Sequence, residues 1–270
     1  MDRTDSVPLA GGDVNLVVRI GDTVRRPTGE HTPAIHALLD HLEDQGVPYT
    51  PRVLGFDEHG REILRYIEGT PALYPLEDWA RTDEALQALA HMLRTIHDAT
   101  LDFIPPPNAK WQALFRAEGA EGPVICHTDL FPPNVIFQNG LPAALIDWDY
   151  AAPATRLTDI ATTANFWLPL MHPDNATAAG WPLDDQKIET RQRRANLLYT
   201  AYGLTDEERA GAIEACIAKK KTGLETHRRM ATEGHPAFTR MWTSGSGAAI
   251  QKDIEWLEEN RPALESAFNS

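Results

Sequence analysis

The chain has 270 residues, of which 42% are hydrophobic and 24% charged, as is ordinary for a globular protein with a sizeable core. Its formal net charge of −14 argues against a broad basic face for nucleic-acid binding. An acidic surface either attracts a polycationic substrate or only keeps the protein in solution. The sequence contains no apolar signal segment or membrane-spanning run, and Cys126 and Cys216 form neither a disulfide framework nor a zinc motif. We therefore expect a cytoplasmic protein without nucleic-acid or membrane partners.

The N-terminal residues predict a β-hairpin. Residues 14–20 alternate between apolar and other side chains, the two-residue period of a half-buried strand. Gly21-Asp22 is typical of a two-residue hairpin turn, because glycine supplies the positive φ of the first central position. This turn places Val18 opposite Arg25, so Arg25 shares a face with the strand's alternating apolar residues and Arg26 points to the other face.

A helix and two further strands are predicted next. Apolar residues recur at helical spacing between Thr32 and Gln45, and Gly46 follows as a stop. Residues 51–56 and 63–67 then predict two strands joined by a short polar turn.

The pattern breaks at residues 68–71, which we interpret as the boundary between an N-terminal lobe, residues 1–69, and a C-terminal lobe, residues 70–270. Beyond the boundary the chain is mainly helical, and Thr82 and Thr205 are predicted to cap helices. A small sheet followed by a larger helical part is an α+β plan.

The most informative stretch of the chain is residues 127–149. The pattern His-x-Asp-x-x-x-x-Asn contains Asp129 and Asn134, and a hairpin predicted around Asn139-Gly140 returns Asp147 to the neighbourhood of Asn134. Phosphoryl transfer from a magnesium nucleotide needs one carboxylate to orient and deprotonate a hydroxyl, and two oxygen ligands for the metal. We therefore expect Asp129 to act as the base and Asn134 and Asp147 to bind Mg²⁺.

This pattern, with a tryptophan after the second acid and Asp159-Ile-Ala further on, resembles the aminoglycoside phosphotransferase family. The resemblance implies a protein kinase-like, two-lobed α+β fold with a small antiparallel-sheet N-lobe. It also implies transfer of the γ-phosphoryl group of ATP, or GTP, to a hydroxyl of a small molecule. His127 and Asp159 would support the catalytic loop, whereas Asp149 would assist the metal, contact substrate or cap the next turn.

On the nucleotide side, the resemblance assigns Gly11 and Gly12 to a short loop that covers phosphates, although two glycines alone are also typical of a simple turn. Arg25 would contact phosphate from the third strand. The carbonyl of Arg65 and the N–H of Ile67 would bind the adenine edge.

One feature departs from the pattern of kinase-like enzymes, which usually pair the third-strand cation with a glutamate on the following helix. Here His36 lies near the expected place, and Glu30 lies before it. Either Glu30 or another acid supplies the pair, or phosphate alone holds Arg25.

The sequence does not identify the molecule that accepts the phosphoryl group. Members of the family phosphorylate aminoglycosides, choline, homoserine or sugars, and acids such as Asp174 and Asp184 either bind amines or are simply solvated. Residues 21–27 and 36–39 resemble a branch of the family labelled for trifolitoxin immunity. The alternative function is therefore a kinase-like binding or immunity protein with little or no catalysis. We expect a monomer or homodimer.

Overall fold

The computed structural model describes residues 6–8, 17–73 and 75–266 as an α+β protein, which confirms the predicted fold class. The strands are β1 (Ser6–Pro8), β2 (Val18–Ile20), β3 (Thr23–Arg26), β4 (Val53–Phe56), β5 (Glu62–Arg65), β6 (Thr70–Pro71), β7 (Val124–Cys126), β8 (Val135–Gln138), β9 (Leu141–Leu145) and β10 (Ala152–Ala154). The helices are α1 (Thr32–Asp44), α2 (Asp83–Ala99), α3 (Arg156–Trp167), α4 (Pro173–Ala178), α5 (Ile188–Tyr202), α6 (Asp206–Thr232), α7 (Pro236–Thr243) and α8 (Ser246–Ser266). Gly11, Gly12 and the first part of the predicted strand 14–20 lie outside the described residues.

The N-terminal sheet has five antiparallel strands in the order β1-β2-β3-β5-β4. Gly21 has the positive φ, 62°, that the tight turn between β2 and β3 requires. Val18 pairs with Arg25, so the predicted register of this hairpin is confirmed.

Helix α1 packs against this sheet and reaches the turn that follows Asp147. Its apolar face is buried as predicted, with Ile35, Leu38, Leu39 and Leu42 each at most 2% exposed. The helix contacts β4 and also the short turn Trp148–Tyr150, which follows Asp147. The helix thus connects the N-terminal sheet with the part of the chain that carries the second motif acid.

Two smaller sheets carry the motif. Strands β6, β8 and β9 form one antiparallel sheet, and β7 pairs with β10 in the other. Asn139 and Gly140 both have positive φ, 52° and 78°, at the predicted turn between β8 and β9. The hairpin expected from the motif is therefore present.

The rest of the chain is helical and contains most of the hydrophobic core. Thr82 accepts a hydrogen bond from the N–H of Ala85 at the start of α2, and Thr205 and Glu208 form a capping box at the start of α6. Both caps were predicted. Helix α6 packs against both α3 and α8, and its side chains Ile213 and Cys216 are buried. No helix in the described part of the chain has both the length and the apolar character needed to cross a bilayer.

Candidate active site

The hairpin β8–β9 brings Asn134 and Asp147 together. Asn134 immediately precedes β8, and Asp147 follows β9 by two residues. The N–H of Ile146 donates to the Asn134 carbonyl at 2.9 Å, which fixes the two ends of the hairpin side by side. Asp147 itself adopts a left-handed conformation, φ 64°, that turns the chain away from the strand direction. The predicted pair of metal ligands thus lies at one end of one hairpin.

Asp129 lies directly against this pair. The Asn134 amide nitrogen donates to the Asp129 carboxylate at 3.1 Å and to the Asp129 carbonyl at 2.9 Å. Because its NH₂ group is committed to Asp129, Asn134 offers its amide oxygen to a cation. The carboxylate of Asp147 is 46% exposed and offers a second hard oxygen ligand. The donor set fits magnesium.

Burial and neighbouring charges shift the pKa values of Asp129 and Tyr150. Burial raises the pKa of Asp129, while the neighbouring His127 and Lys219 oppose that rise and Asp147 adds to it. Burial, together with the negative charges of Asp129, Asp147 and Asp149, raises the pKa of Tyr150 to about 12. The charges of all three acids of the motif therefore act on the Tyr150 hydroxyl.

Asp159 holds the loop that carries Asp129. Its carboxylate accepts the backbone N–H groups of His127 and Thr128, each at 2.8 Å, and lies 3.0 Å from Nε2 of His97. Thr128 has φ 64°, which costs energy for a β-branched residue and is kept by its surroundings. The position of Asp159 corresponds to the supporting role that the resemblance implied.

His127 is also engaged with the backbone. Its Nε2 lies 2.9 Å from the Ile146 carbonyl, and its Nδ1 accepts the N–H of Asp129 at 3.3 Å. The ring is 1% exposed and packs edge-on against Trp148. The two ring nitrogens thus connect Asp129 to the hairpin, an arrangement that suits support rather than proton transfer.

A group of three buried side chains could in principle bind a metal ion. His97, Cys126 and Asp159 have ligand atoms within 4.8 Å of one another. However, His97 Nδ1 lies 2.7 Å from the Tyr202 hydroxyl, the Cys126 thiol donates to the Thr155 carbonyl, and burial raises the pKa of Cys126 well above its usual range. These groups already have hydrogen-bond partners, so we interpret the cluster as a support for the loop that carries Asp129.

The structure places Arg26, and not Arg25, against the motif acids. Nη1 of Arg26 lies 2.8 Å from Oδ1 of Asp147, and Nη2 contacts Asp149. Arg25 instead donates to the Thr23 hydroxyl and lies beside Asp57, on the other face of β3. The predicted face alternation of the two arginines is correct, but the face that meets the hairpin is the one occupied by Arg26.

The partner of this arginine comes from a strand. Glu62 on β5 is 2% exposed and accepts a hydrogen bond from Nε of Arg26. The second oxygen of Glu62 lies 2.7 Å from Nε2 of His36 on α1. Glu30 is instead paired with Lys110 at 3.0 Å. Burial opposes the charged form of Arg26, yet Asp149, Glu62 and Asp147 together raise the pKa of its guanidinium.

Asp149 is held from the N-terminal side. It binds Arg26, and Nε2 of His31, just before α1, lies 3.4 Å from its Oδ1. Burial disfavours the charged carboxylate, but the hydrogen bond from His31 and the charge of Arg26 lower the pKa of Asp149 below its usual range. Of the roles open to Asp149, binding the N-terminal sheet to the hairpin is the one that these contacts describe.

The predicted adenine-side groups lie after β5. The N–H of Tyr66 donates to the Asp22 carbonyl at 2.9 Å, whereas the N–H of Ile67 donates to no acceptor among residues 6–8, 17–73 and 75–266. The Arg65 side chain is turned toward Asp22. The predicted phosphate loop at Gly11 and Gly12 is outside the described residues.

The acids considered for an amine acceptor are engaged elsewhere. Asp174 contacts Lys252, and Asp184 lies 2.6 Å from Lys187. Both carboxylates are mostly exposed, at 71% and 86%. These contacts fit solvated surface pairs.

Comparison with known proteins agrees with this geometry. A family model described as "Phosphotransferase enzyme family" matches residues 6–118 and 107–195. The trifolitoxin immunity protein of Rhizobium leguminosarum bv. trifolii is 32% identical over 273 residues, which cover 98% of this chain and 99% of that protein.

Solved structures resemble the chain over nearly its whole length. A choline/ethanolamine kinase family protein from Mesorhizobium loti has a TM-score of 0.63 at 17% identity, covering 98% of this chain and 92% of that one. The streptomycin–ATP–APH(2")-IIa ternary complex has a TM-score of 0.51 at 14% identity, covering 94% and 93%. The likeness establishes the fold as protein kinase-like.

Proposed function

We propose that this chain, which belongs to the phosphotransferase enzyme family, transfers the γ-phosphoryl group of ATP or GTP to a hydroxyl of a small molecule. The observation that carries the proposal is the contact between the Asn134 amide and the Asp129 carboxylate at the end of the hairpin that ends in Asp147. It supports the proposal because Asp129, Asn134 and Asp147 are side chains of the types that supply a base and two oxygen ligands, the minimal set for phosphoryl transfer from a magnesium nucleotide.

Each side chain has a separate task in the proposed reaction. The acceptor hydroxyl gives its proton to Asp129 as its oxygen forms a bond to the γ-phosphorus. The bond from that phosphorus to the β–γ bridging oxygen breaks, and a nucleoside diphosphate leaves. Asn134 and Asp147 would hold Mg²⁺, which when bound neutralises charge on the phosphate oxygens. Burial of the Asp129 carboxyl raises its pKa, which strengthens it as a base.

Arg26 takes the phosphate-orienting role for which Arg25 was predicted. It reaches the metal-binding hairpin, and its planar guanidinium suits phosphate oxygens. Residues 1–69 would then form the nucleotide-binding lobe and residues 70–270 the lobe that holds the catalytic loops and the acceptor. Gly11 and Gly12 remain assigned to the phosphate loop, and Arg65 and Ile67 to the adenine edge, by family resemblance.

A specific observation favours a second candidate function. The relative that shares 32% identity over almost the whole chain is described as an immunity protein. A kinase-like protein that confers immunity by binding, with little or no catalysis, would fit that description. The complete set of Asp129, Asn134 and Asp147 supports catalysis instead.

A phosphoryl-transfer screen separates the two functions. The protein would be incubated with Mg·ATP or Mg·GTP and with panels of amines, amino acids, sugars and aminoglycosides, and products would be detected by the mass gain of one phosphoryl group. We expect Asp129→Ala to lower turnover by about 10² to 10⁴-fold with nearly unchanged nucleotide binding. Asp147→Ala should weaken Mg·ATP binding itself, measured by isothermal titration calorimetry.

Asp174→Ala, which removes an exposed carboxylate of a surface pair, is the matched control and should behave like the parent. Parental Mg·ATP affinity in the Asp147 variant would refute the metal assignment. If the parent forms no product with any acceptor and Mg·ATP does not raise its melting temperature, the binding function is the correct one.

A further inference from the structure

Lys219 is a charged side chain that the proposed chemistry leaves unused. It lies on α6, yet its ammonium donates to the carbonyl of Thr128 at 2.5 Å and to the carbonyl of Phe115 at 2.8 Å. It also lies over the ring of Phe115, 5.3 Å from the centroid. A helix near the C-terminus thus reaches the catalytic loop, across a sequence separation of 91 residues.

The contact with Thr128 completes a set of restraints on one strained residue. The Thr128 N–H donates to Asp159 on α3, its hydroxyl donates to the Tyr150 carbonyl, and its own carbonyl accepts from Lys219. A β-branched residue with φ 64° is strained and persists only where the surroundings determine it. Each of the three polar groups of Thr128 is thus held by a hydrogen bond to a residue from a different part of the chain.

The charge of Lys219 acts on the next residue as well. Its attraction stabilises the ionised form of Asp129, whose burial disfavours that form. The pKa of Lys219 reflects the same attraction. Burial lowers this pKa to about 8, while Asp129 and Asp159 oppose the change. The ammonium therefore acts by charge on Asp129 and by a hydrogen bond on the carbonyl of Thr128.

The neighbouring lysines show that this orientation is particular to one position. Lys220 contacts Asp253 at 3.0 Å, and Lys221 contacts Glu258 at 2.7 Å, both on α8. Successive helical residues point about 100° apart, so a run of three lysines reaches three different surroundings. Of these three lysines, it is Lys219 whose ammonium reaches the catalytic loop.

We propose that Lys219 is a positioning residue for phosphoryl transfer: its ammonium fixes the Thr128 carbonyl, next to Asp129, and it has no part in binding the nucleotide. The inference rests on the proposed function, since it assigns a role at the same site. It predicts that loss of Lys219 slows the chemical step while Mg·ATP binding remains close to that of the parent.

Three substitutions separate the contributions of the ammonium. Lys219→Met removes both hydrogen bonds and charge, Lys219→Gln keeps donors without charge, and Lys219→Arg keeps both. Slow hydrolysis of Mg·ATP to ADP and phosphate, with water as the acceptor, serves as the activity because it needs no identified substrate. We expect the rate to fall by about tenfold or more in the Met variant, less in the Gln variant, and least in the Arg variant.

Nucleotide affinity, melting temperature and amide hydrogen exchange complete the experiment. Mg·ATP affinity should stay close to the parent in all three variants. In Lys219→Met the melting temperature should fall by a few degrees and exchange at residues 127–130 should accelerate, because two backbone carbonyls lose their donor. Lys221→Met, which removes an exposed lysine two positions away, should leave every readout unchanged.

The outcomes distinguish this inference from the proposed function. A parental rate in Lys219→Met, or an equal loss of rate in the Met and Arg variants, would overturn the positioning role. If the parent does not hydrolyse ATP, the proposed function is in question, but hydrogen exchange still decides the inference about Lys219. Unchanged exchange at residues 127–130 in the Met variant would then refute it.

Discussion

Nη1 of Arg26 lies 2.8 Å from Oδ1 of Asp147, so a strand of the N-terminal sheet is bound to the proposed metal ligand across 121 residues of sequence. The guanidinium occupies one oxygen of the carboxylate that magnesium would use. We therefore expect nucleotide binding to move this arginine from Asp147 toward the phosphates. The relationship makes opposite predictions for the metal ion alone and for the metal–nucleotide complex.

Arg26→Met tests these opposite effects. Without the guanidinium, Mg·ATP should bind about 10 to 100-fold more weakly, because a hydrogen bond to a charged group contributes about 1.5–3 kcal/mol. Free Mg²⁺ should bind more tightly, because Asp147 no longer has a competing cation. Isothermal titration with Mg·ATP and with Mg²⁺ alone measures both changes.

Arg25→Met is the matched control for this experiment. Arg25 contacts Thr23 and Asp57 on the far face of the same strand, so both affinities should stay near those of the parent. A loss of Mg·ATP affinity in the Arg25 variant together with parental affinity in the Arg26 variant would restore the assignment made from sequence.

Glu62 should anchor Arg26 in place of a helix glutamate. Glu62→Gln removes the charge but keeps the shape, and we expect it to lower the free energy of unfolding by about 1–3 kcal/mol and to weaken Mg·ATP binding. Urea denaturation and calorimetry measure the two effects. The estimate is below that for an isolated buried pair because Arg26 keeps Asp147 and Asp149.

A double variant that moves the carboxylate from one position to another makes this test specific. His36 lies 2.7 Å from Glu62, so the double variant His36→Glu/Glu62→Gln moves the acid from β5 to α1. We expect the double variant to recover most of the Mg·ATP affinity that Glu62→Gln loses. If the double variant binds no better than the single one, Glu62 contributes through packing and not as the anion that holds Arg26.

The parts of the fold that could be predicted from sequence depend on near neighbours. The hairpin register follows from the conformational freedom of Gly21 within its turn, and the buried face of α1 follows from the spacing of Ile35, Leu38, Leu39 and Leu42. The β8–β9 turn and the caps at Thr82 and Thr205 are equally local. Each was confirmed because the residues that determine it lie within a few positions of one another.

The site residues missed in the sequence depend on distant contacts. Alternation along β3 shows that Arg25 and Arg26 face opposite ways, but which face meets the hairpin is decided by the packing of α1 against the Trp148–Tyr150 turn. Glu62 is 36 residues from Arg26, and Lys219 is 91 residues from Thr128. The only indication of Lys219 was a run of three lysines, which is also typical of an exposed helix surface.

Asp159 should make the stability of the protein depend on acid pH. Burial disfavours its carboxylate, but His97, the charge of His127 and the Thr128 N–H hold the pKa of Asp159 below its usual value. An unfolded aspartate titrates near pH 4. Because the folded pKa is the lower one, the stabilisation is fully present above about pH 4 and is lost as the pH falls through the folded value.

Asp159→Asn should therefore destabilise the protein by about 3–5 kcal/mol at pH 7, since it breaks a buried, hydrogen-bonded pair. The difference in unfolding free energy between parent and variant should shrink as the pH falls below about 4, because the parent then loses the charge that the variant lacks. Urea denaturation at a series of pH values measures this difference, with Asp102→Asn as an exposed control that should follow the parent at every pH. A difference that stays constant down to the acid limit would mean that Asp159 supports the loop by its shape and hydrogen bonds alone, without a contribution from its charge.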